Sequence, residues 1–418
     1  MNMHLKSKAE IEKRQEAVRE LAPELEMRQH FRVLGLLHKG KTADEEEIRN
    51  WASSPEYYRK KWYFRTLAIL IPTANAVCIG LAIAEIISFT TWGIVFASIG
   101  LFSSSFSKGI SRMQSVYGKK MLILTTYARL IHIIEEKKMR CIALKEIKEL
   151  VGGEKQTASE AVKRLTELMN ALDQRNNMLM QFVLNGLFFW ELRQVMKIEA
   201  WKENYAAHLP DWLEAIGEMD AYCSLACFAY NHPGYVFPEI ASKPFCVEAE
   251  ALGHPLMNRN KCVRNDIRIA KRPFFIIITG ANMAGKSTYL RTIGVSYLLA
   301  CIGAPVWAEK MKLYPAQFVT SLRTTDSLAD NESYFFAELK RLKLIIDKLN
   351  SGEELFIILD EILKGTNSMD KQKGSFALIK QFMALQANGI IATHDLLLGS
   401  LIDLFPKDIH NYCFEADI

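Results

Sequence analysis

The sequence predicts a multidomain chain: a helical core carrying a two-helix transmembrane hairpin, joined to an α/β domain built on a mainly parallel sheet. Three observations predict it. Residues 276–300 read as a buried strand, a glycine-bounded loop and a helix. Two more uninterrupted apolar runs, Leu355 to Leu359 and Gly389 to Thr393, have the character of parallel strands covered on both faces. Between Arg65 and Lys108, a stretch of 42 residues holds a single charged side chain, Glu85. The expected organisation is a charged helical segment over 1–62, the hairpin over 63–108, the helical core over 109–232 and the α/β domain over 233–418.

The strand–loop–helix comes first because its spacing is chemically specific. Gly280-Ala281-Asn282-Met283-Ala284-Gly285-Lys286-Ser287 has the Gly-x-x-x-x-Gly-Lys-Ser pattern of a phosphate loop, with an apolar strand from Phe274 to Ile278 before it and a helical run from Thr288 to Ala300 after it. Gly280 and Gly285 let the backbone turn its N–H groups inward around phosphates, and Lys286 adds a charge at the β and γ oxygens. Ser287 offers a hydroxyl to Mg²⁺ at a helix N-terminus that favours anions. Residues 280–288, Thr288 included, are therefore the expected cradle for a nucleotide.

The second run ends in Asp360-Glu361, the pattern of a Walker B strand. Asp360 is expected in the Mg²⁺ shell, and Glu361 beside the γ-phosphate, where it orients or deprotonates the attacking water. The third run delivers His394 and Asp395, with His394 read as a γ-phosphate sensor. Lys286, Glu361 and His394 are the expected catalytic set. ATP and Mg²⁺ are the expected ligands.

The loop Thr279-Gly280-Ala281-Asn282-Met283-Ala284-Gly285-Lys286-Ser287-Thr288-Tyr289-Leu290-Arg291 closely resembles that of the MutS family, usually written TGPNMGGKSTYLR. Further matches follow in family order: Gly253-His254-Pro255-Leu256, Asp326-Ser327-Leu328-Ala329, Ser333-Tyr334-Phe335, Gly365-Thr366-Asn367-Ser368 and Ala392-Thr393-His394. The resemblance is strong from about residue 233 onward and weaker over the preceding helices. It implies an ATPase fold of the MutS and ABC-ATPase type, working as a head-to-tail homodimer through the ATPase domains. Ser333 matches a serine that reaches the nucleotide of the opposite subunit, and Thr366, Asn367 and Ser368 match a loop that crosses the dimer seam. His254 and Val263 fall in segments expected near the adenine, although Cys262 stands where the family often has a stacking aromatic residue. Ala284 replaces a common glycine and leaves the two essential ones intact.

The rest of the composition is restrained. The net charge of +5 is mild, so no dedicated nucleic-acid surface is implied, and the eight cysteines are dispersed without metal-ligand spacing. The two halves of the apolar stretch, Thr66 to Ala84 and Ile86 to Ser107, are each near the ~20 residues a membrane-crossing helix needs. Arg59, Lys60, Lys61 and Arg65 precede the pair; Lys108, Arg112, Lys119 and Lys120 follow it. By the positive-inside rule both ends face the cytoplasm, which predicts an anchor in the cytoplasmic membrane with the α/β domain on its inner side and the lipid bilayer as a partner.

Residues 8 to 35 read as one solvated amphipathic helix, and 109 to 230 as several long helices. The aromatic residues around Phe188, Phe189, Trp190, Trp201 and Trp212 are expected to pack between them. The family's mismatch reader is a Phe-x-Glu motif near the N-terminus. The comparable text here, Phe414-Glu415-Ala416, lies on the last strand, so DNA binding is admitted as a partner but mismatch-specific reading is not expected. The chain stops soon after the His394 strand and is read as a piece of a longer protein. The expected activity is ATP hydrolysis at the membrane. The alternatives are a nucleotide-dependent membrane switch or scaffold without a DNA substrate, and a transporter-type ATPase.

Overall fold

The computed structural model describes residues 7–37, 42–117, 121–152, 157–173, 178–281, 284–321, 334–363 and 367–415. Its helices in chain order are α1 (Lys8–Leu21), α2 (Leu25–Leu37), α3 (Thr42–Ser53), α4 (Trp62–Ile83), α5 (Phe89–Tyr117), α6 (Met121–Glu136), α7 (Ile142–Val151), α8 (Ala158–Asp173), α9 (Met178–Phe188), α10 (Trp190–Tyr205), α11 (Leu209–Asn231), α12 (Lys286–Cys301), α13 (Tyr334–Asn350), α14 (Ser368–Ala384) and α15 (Leu401–Leu404). The strands are β1 (Glu239–Ile240), β2 (Val247–Leu252), β3 (Asn265–Ile269), β4 (Phe274–Gly280), β5 (Lys310–Leu313), β6 (Gln317–Ser321), β7 (Leu355–Asp360), β8 (Asn388–Ala392) and β9 (Ile409–Phe414). The chain divides into two compact units, Glu24–Cys223 and Met1–Pro23 with Ser224–Ile418.

In the second of these units, β6-β7-β8-β4-β9 form a sheet that is parallel throughout. Side-chain alternation sends Ile276, Ile278, Phe356, Ile358 and Ile390 to one face, where they pack with Leu290, Ile293 and Tyr297 of α12. Phe275, Ile277, Ile357, Leu359 and Ile391 go to the other, against Ile345 of α13 and Ile379 and Phe382 of α14. Burial on both sides explains why these strands read as continuous apolar runs.

The same unit has a second sheet, β1-β5-β2-β3, in which β2 runs antiparallel to β3 and β5 while β1 and β5 are parallel. Its strands are short and partly polar, so no periodicity in the sequence marked them. The reading of 8–35 as one solvated helix is corrected here. The chain breaks at Pro23 into α1 and α2, and Ile11, Val18 and Leu21 of α1 are fully buried. Ile11 joins the core beside Ile240 and Val247, and Gln15 donates to the carbonyl of Pro238 at 2.8 Å. A Ser7–Glu10 capping box opens this helix. Gly303, at φ +85, makes room for it, because a Cβ there would lie 2.6 Å from that of Arg14.

The Glu24–Cys223 unit is helical. Trp201 donates to the carbonyl of Ala161 at 2.7 Å and stacks on Trp51, with Tyr205 and Trp212 beside it. These aromatics pack between helices. The two-span expectation is met only in part: among the described residues one helix, α4, is long and apolar enough to cross a membrane. Among the described residues the second half of the hairpin contributes a shorter apolar segment, Phe89–Ser103, of helix α5. The two helices pack against each other and turn at Glu85, which is exposed and left-handed at φ 59.

Candidate nucleotide-binding site

Strand order decides which side chains meet. Because β8 lies between β7 and β4, Ala392 is in register with both Asp360 and Ile278, so β7 and β8 end together, two residues short of the end of β4 at Gly280. Two backbone bonds extend that alignment past the sheet, from Glu361 N–H to Ala392 at 2.9 Å and from Thr393 N–H to Ile278 at 2.9 Å. His394 therefore emerges between the loop after β4 and the acidic pair after β7.

Lys286 is buried, and its ammonium donates to the carbonyls of Gly280 and Ala281 at 2.7 and 2.8 Å. Gly280 has φ +142, with the Phe414 carbonyl of β9 where a Cβ would point; Gly285, at φ +90, caps α12 in open space. Lys286 Nζ also lies 3.5 Å from His394 Nδ1, and His394 Nε2 lies 2.6 Å from Glu361 Oε1. An ammonium can only donate, so the pattern assigns Nδ1 as acceptor and Nε2 as the donor to Glu361. Asp360 is buried at the end of β7, and Glu361 leaves the strand in a left-handed conformation at φ 49.

The residues present fit a magnesium nucleotide. A lysine turned onto the carbonyls of its own loop, a helix N-terminus opening behind Gly285, the Ser287 hydroxyl and the buried Asp360 carboxylate form a donor set for phosphate and a hard cation. Ala281 and Thr288 are exposed around the loop, and Ala284 N–H bonds back to Ala281 at 3.4 Å. Asn282 and Met283 lie outside the described residues, as do Ser333, residues 326–329, Gly365 and Thr366.

The flanking candidates are less uniform. His254 is half-buried, with Nδ1 accepting from Leu256 N–H at 3.2 Å; burial first, then the charge of Arg291 on α12, holds it below the ordinary histidine value. Val263 is 79% exposed, and its carbonyl accepts from Asn265. Asn367 caps α14, accepting from Asp370 N–H at 2.9 Å, with Ser368 exposed in the next position.

Residues 276–417 match the family model described as MutS domain V. The segment similar to MutS domain V thus holds the phosphate loop, the acidic pair and His394. DNA mismatch repair protein MutS of Aquifex pyrophilus is 33% identical over 271 residues, 63% of this chain and 30% of the relative. That of Thermotoga sp. (strain RQ2) is 33% identical over 200 residues, 46% of this chain and 24% of the relative. Human MutS protein homolog 4 is 33% identical over 167 residues, 39% of this chain and 18% of the relative. The matches therefore span less than a third of the length of these relatives.

One supporting residue escaped sequence reasoning. Glu338 of α13 is buried and accepts from Leu363 N–H at 2.8 Å, fixing the turn after Asp360-Glu361 where Leu363 is itself left-handed at φ 58. The signal was there: Glu338, Leu342, Ile345 and Leu349 share one buried helical stripe, and a carboxylate in such a stripe needs a partner.

Proposed function

We propose that this protein is a membrane-anchored, MutS-like ATPase that converts ATP and water to ADP and phosphate in a site completed by a second copy of the chain. The observation that carries the reading is the convergence of Lys286, His394 and Glu361 at the mouth of the glycine loop. Lys286 and the loop N–H groups would hold the phosphates, and Ser287 and Asp360 would hold Mg²⁺. When bound, the magnesium nucleotide supplies an activated γ-phosphoryl group. Glu361 receives the proton of the attacking water on its carboxylate, and His394, donating from Nε2, keeps that carboxylate oriented. Ser333 is the residue proposed to reach the partner's nucleotide, and His254 and Val263 are proposed to border the base.

The membrane part of the proposal is supported by what α4 leaves outside. Its 22 residues extend about 33 Å at 1.5 Å per residue, a full hydrocarbon thickness. Ile69, Leu70, Val77 and Ile83 are each more than half exposed, as are Ile86, Phe89, Ile94 and Leu101 on the turn and α5. A core helix of a water-soluble unit would bury such side chains. The inner face of the cytoplasmic membrane is the proposed location of the ATPase unit. There, anionic lipid competes with DNA for Arg59, Lys60, Lys61 and Arg65. Any DNA binding is then borne by phosphate contacts, steep in salt and indifferent to base pairing.

Detergent-purified full-length protein tests this in one series: Mg²⁺-dependent phosphate release, its response to matched and mismatched duplex, and retention of the protein in carbonate-washed membranes. Absence of hydrolysis would leave a nucleotide switch, and release by carbonate would remove the anchor. A tenfold preference for mismatched duplex, about 1.4 kcal/mol, would overturn the DNA part.

A further inference from the structure

A third apolar element lies against the hairpin. Residues 178–190, Met-Leu-Met-Gln-Phe-Val-Leu-Asn-Gly-Leu-Phe-Phe-Trp, carry no charge and form α9 and the first residue of α10. Phe189, left-handed at φ 51 and 2% exposed, joins the two helices. The α9 helix packs on both α4 and α5. Phe182 covers Gly100, where a Cβ would lie 2.6 Å from the ring; Phe96 covers Gly186; and Phe102 stacks on Phe189.

These contacts fix depth. Asn75, which donates to the carbonyl of Gly186 at 2.7 Å, is thirteen residues beyond Trp62, about 20 Å along the axis of α4 at 1.5 Å per residue. Phe96 is seven residues from the outer end of α5, about 10 Å by the same rise, and reaches the same level from the other side. Gly186 therefore sits past the midpoint of α4. Phe189, packed with Phe64, Ala68 and Ile71, lies nearer its inner end.

We propose that α9 and the start of α10 form a re-entrant hairpin that enters the bilayer from the cytoplasmic side, reaches mid-depth at Asn185-Gly186 and returns, with lipid acyl chains covering its outer face. The inference rests on the membrane reading of α4 and α5. Broken helix within hydrocarbon requires its free backbone groups to be satisfied by protein. Protein supplies such partners at the break: Asn75, itself 2% exposed, donates to the end carbonyls Gly186 and Leu187, and Asn185 Oδ1 accepts from Glu191 N–H at 3.0 Å. Glu191, the first charged residue after the tip, is turned inward at 3% exposure, whereas apolar Phe182, Val183 and Phe188 are 38%, 42% and 45% exposed. Charge inside and apolar side chains outside is the arrangement lipid selects.

The test uses full-length protein in proteoliposomes containing a phosphatidylcholine with a mid-chain diazirine, with adducts mapped by mass spectrometry. Adducts are expected on Ile69, Leu70 and Val77 of α4 and also on Phe182, Val183 and Phe188, above the background on exposed Leu344 of α13. Adducts on α4 with only background on α9 would overturn the re-entrant hairpin and leave the anchor standing. Background on both would overturn the anchor itself. Labelling of α9 by a headgroup diazirine but not the mid-chain probe would mean a helix lying at the surface, and would also overturn it. Gly186→Leu, which drives a side chain into the Phe96 ring, is expected to bring α9 adducts down to background with α4 adducts unchanged. Undiminished α9 labelling in that variant would refute the packing that sets the depth.

Discussion

Glu361→Gln separates binding from chemistry. The side chain leaves β7 at φ 49, is anchored by its N–H on Ala392, and meets His394 Nε2 at 2.6 Å through Oε1. Glutamine keeps an acceptor oxygen at that point, so the orientation survives and only the charge is lost. Both partners are partly open to solvent, 24% and 35% exposed, so the charge contributes no more than about 1 kcal/mol to folding. That is a shift of about 2–4 °C in Tm for a unit of this size. Turnover should fall much further, because an amide cannot take the proton of the attacking water: at least ~10²-fold, or about 2.7 kcal/mol on the barrier. Phosphate release at saturating magnesium ATP, paired with binding of a fluorescent nucleotide and a thermal melt, measures all three quantities on one preparation. Turnover within a factor of about three of the parent, a change worth under 1 kcal/mol, would refute Glu361 as the base.

Lys286→Ala should weaken nucleotide binding severely while the Tm stays close to the parent's, since its partners are loop carbonyls that water can reach once the side chain is gone; unchanged affinity in a titration would mean phosphates bind elsewhere. Ser333→Ala mixed with Lys286→Ala should recover part of the activity that neither has alone if each site borrows a serine from its neighbour, and a mixture no better than its components would argue for independent sites. A pH dependence should appear at Glu354. Burial alone would raise its carboxyl, but bonds from Lys243 and Tyr314 and the charge of Arg272 outweigh this and hold it below the ordinary carboxylate value. A folded-state value below the unfolded one adds stability above the unfolded value and loses it as pH falls through the folded one. Melts of the parent should therefore drop more steeply below about pH 4.5 than those of Glu354→Gln, and parallel curves would sink the assignment.

The sequence by itself determined the phosphate loop, the acidic pair and the three central strands, because each depends on local chemistry. A loop that wraps phosphate needs glycines at fixed spacing, and a strand covered on both faces must be apolar throughout. It also marked α4, since an uncharged run of about 20 residues is the length a helix needs to cross hydrocarbon. Tertiary structure alone decided what these pieces do to one another. Nothing in the order Lys286, Glu361, His394 says that the histidine stands between the other two; that follows from β8 lying between β7 and β4. The carboxylate of Glu338 found its partner 25 residues away, and α1 was recruited to a core begun more than 200 residues later. Depth in the hairpin is of the same kind. The uncharged run of α9 is too short to mark it as a partner of the hairpin, and only its contacts with Asn75, Phe96 and Gly100 show how far along α4 and α5 it reaches. Local pattern encodes which backbone conformation a segment prefers. Which distant side chain satisfies a buried polar group depends on strand order and packing, which no local window contains.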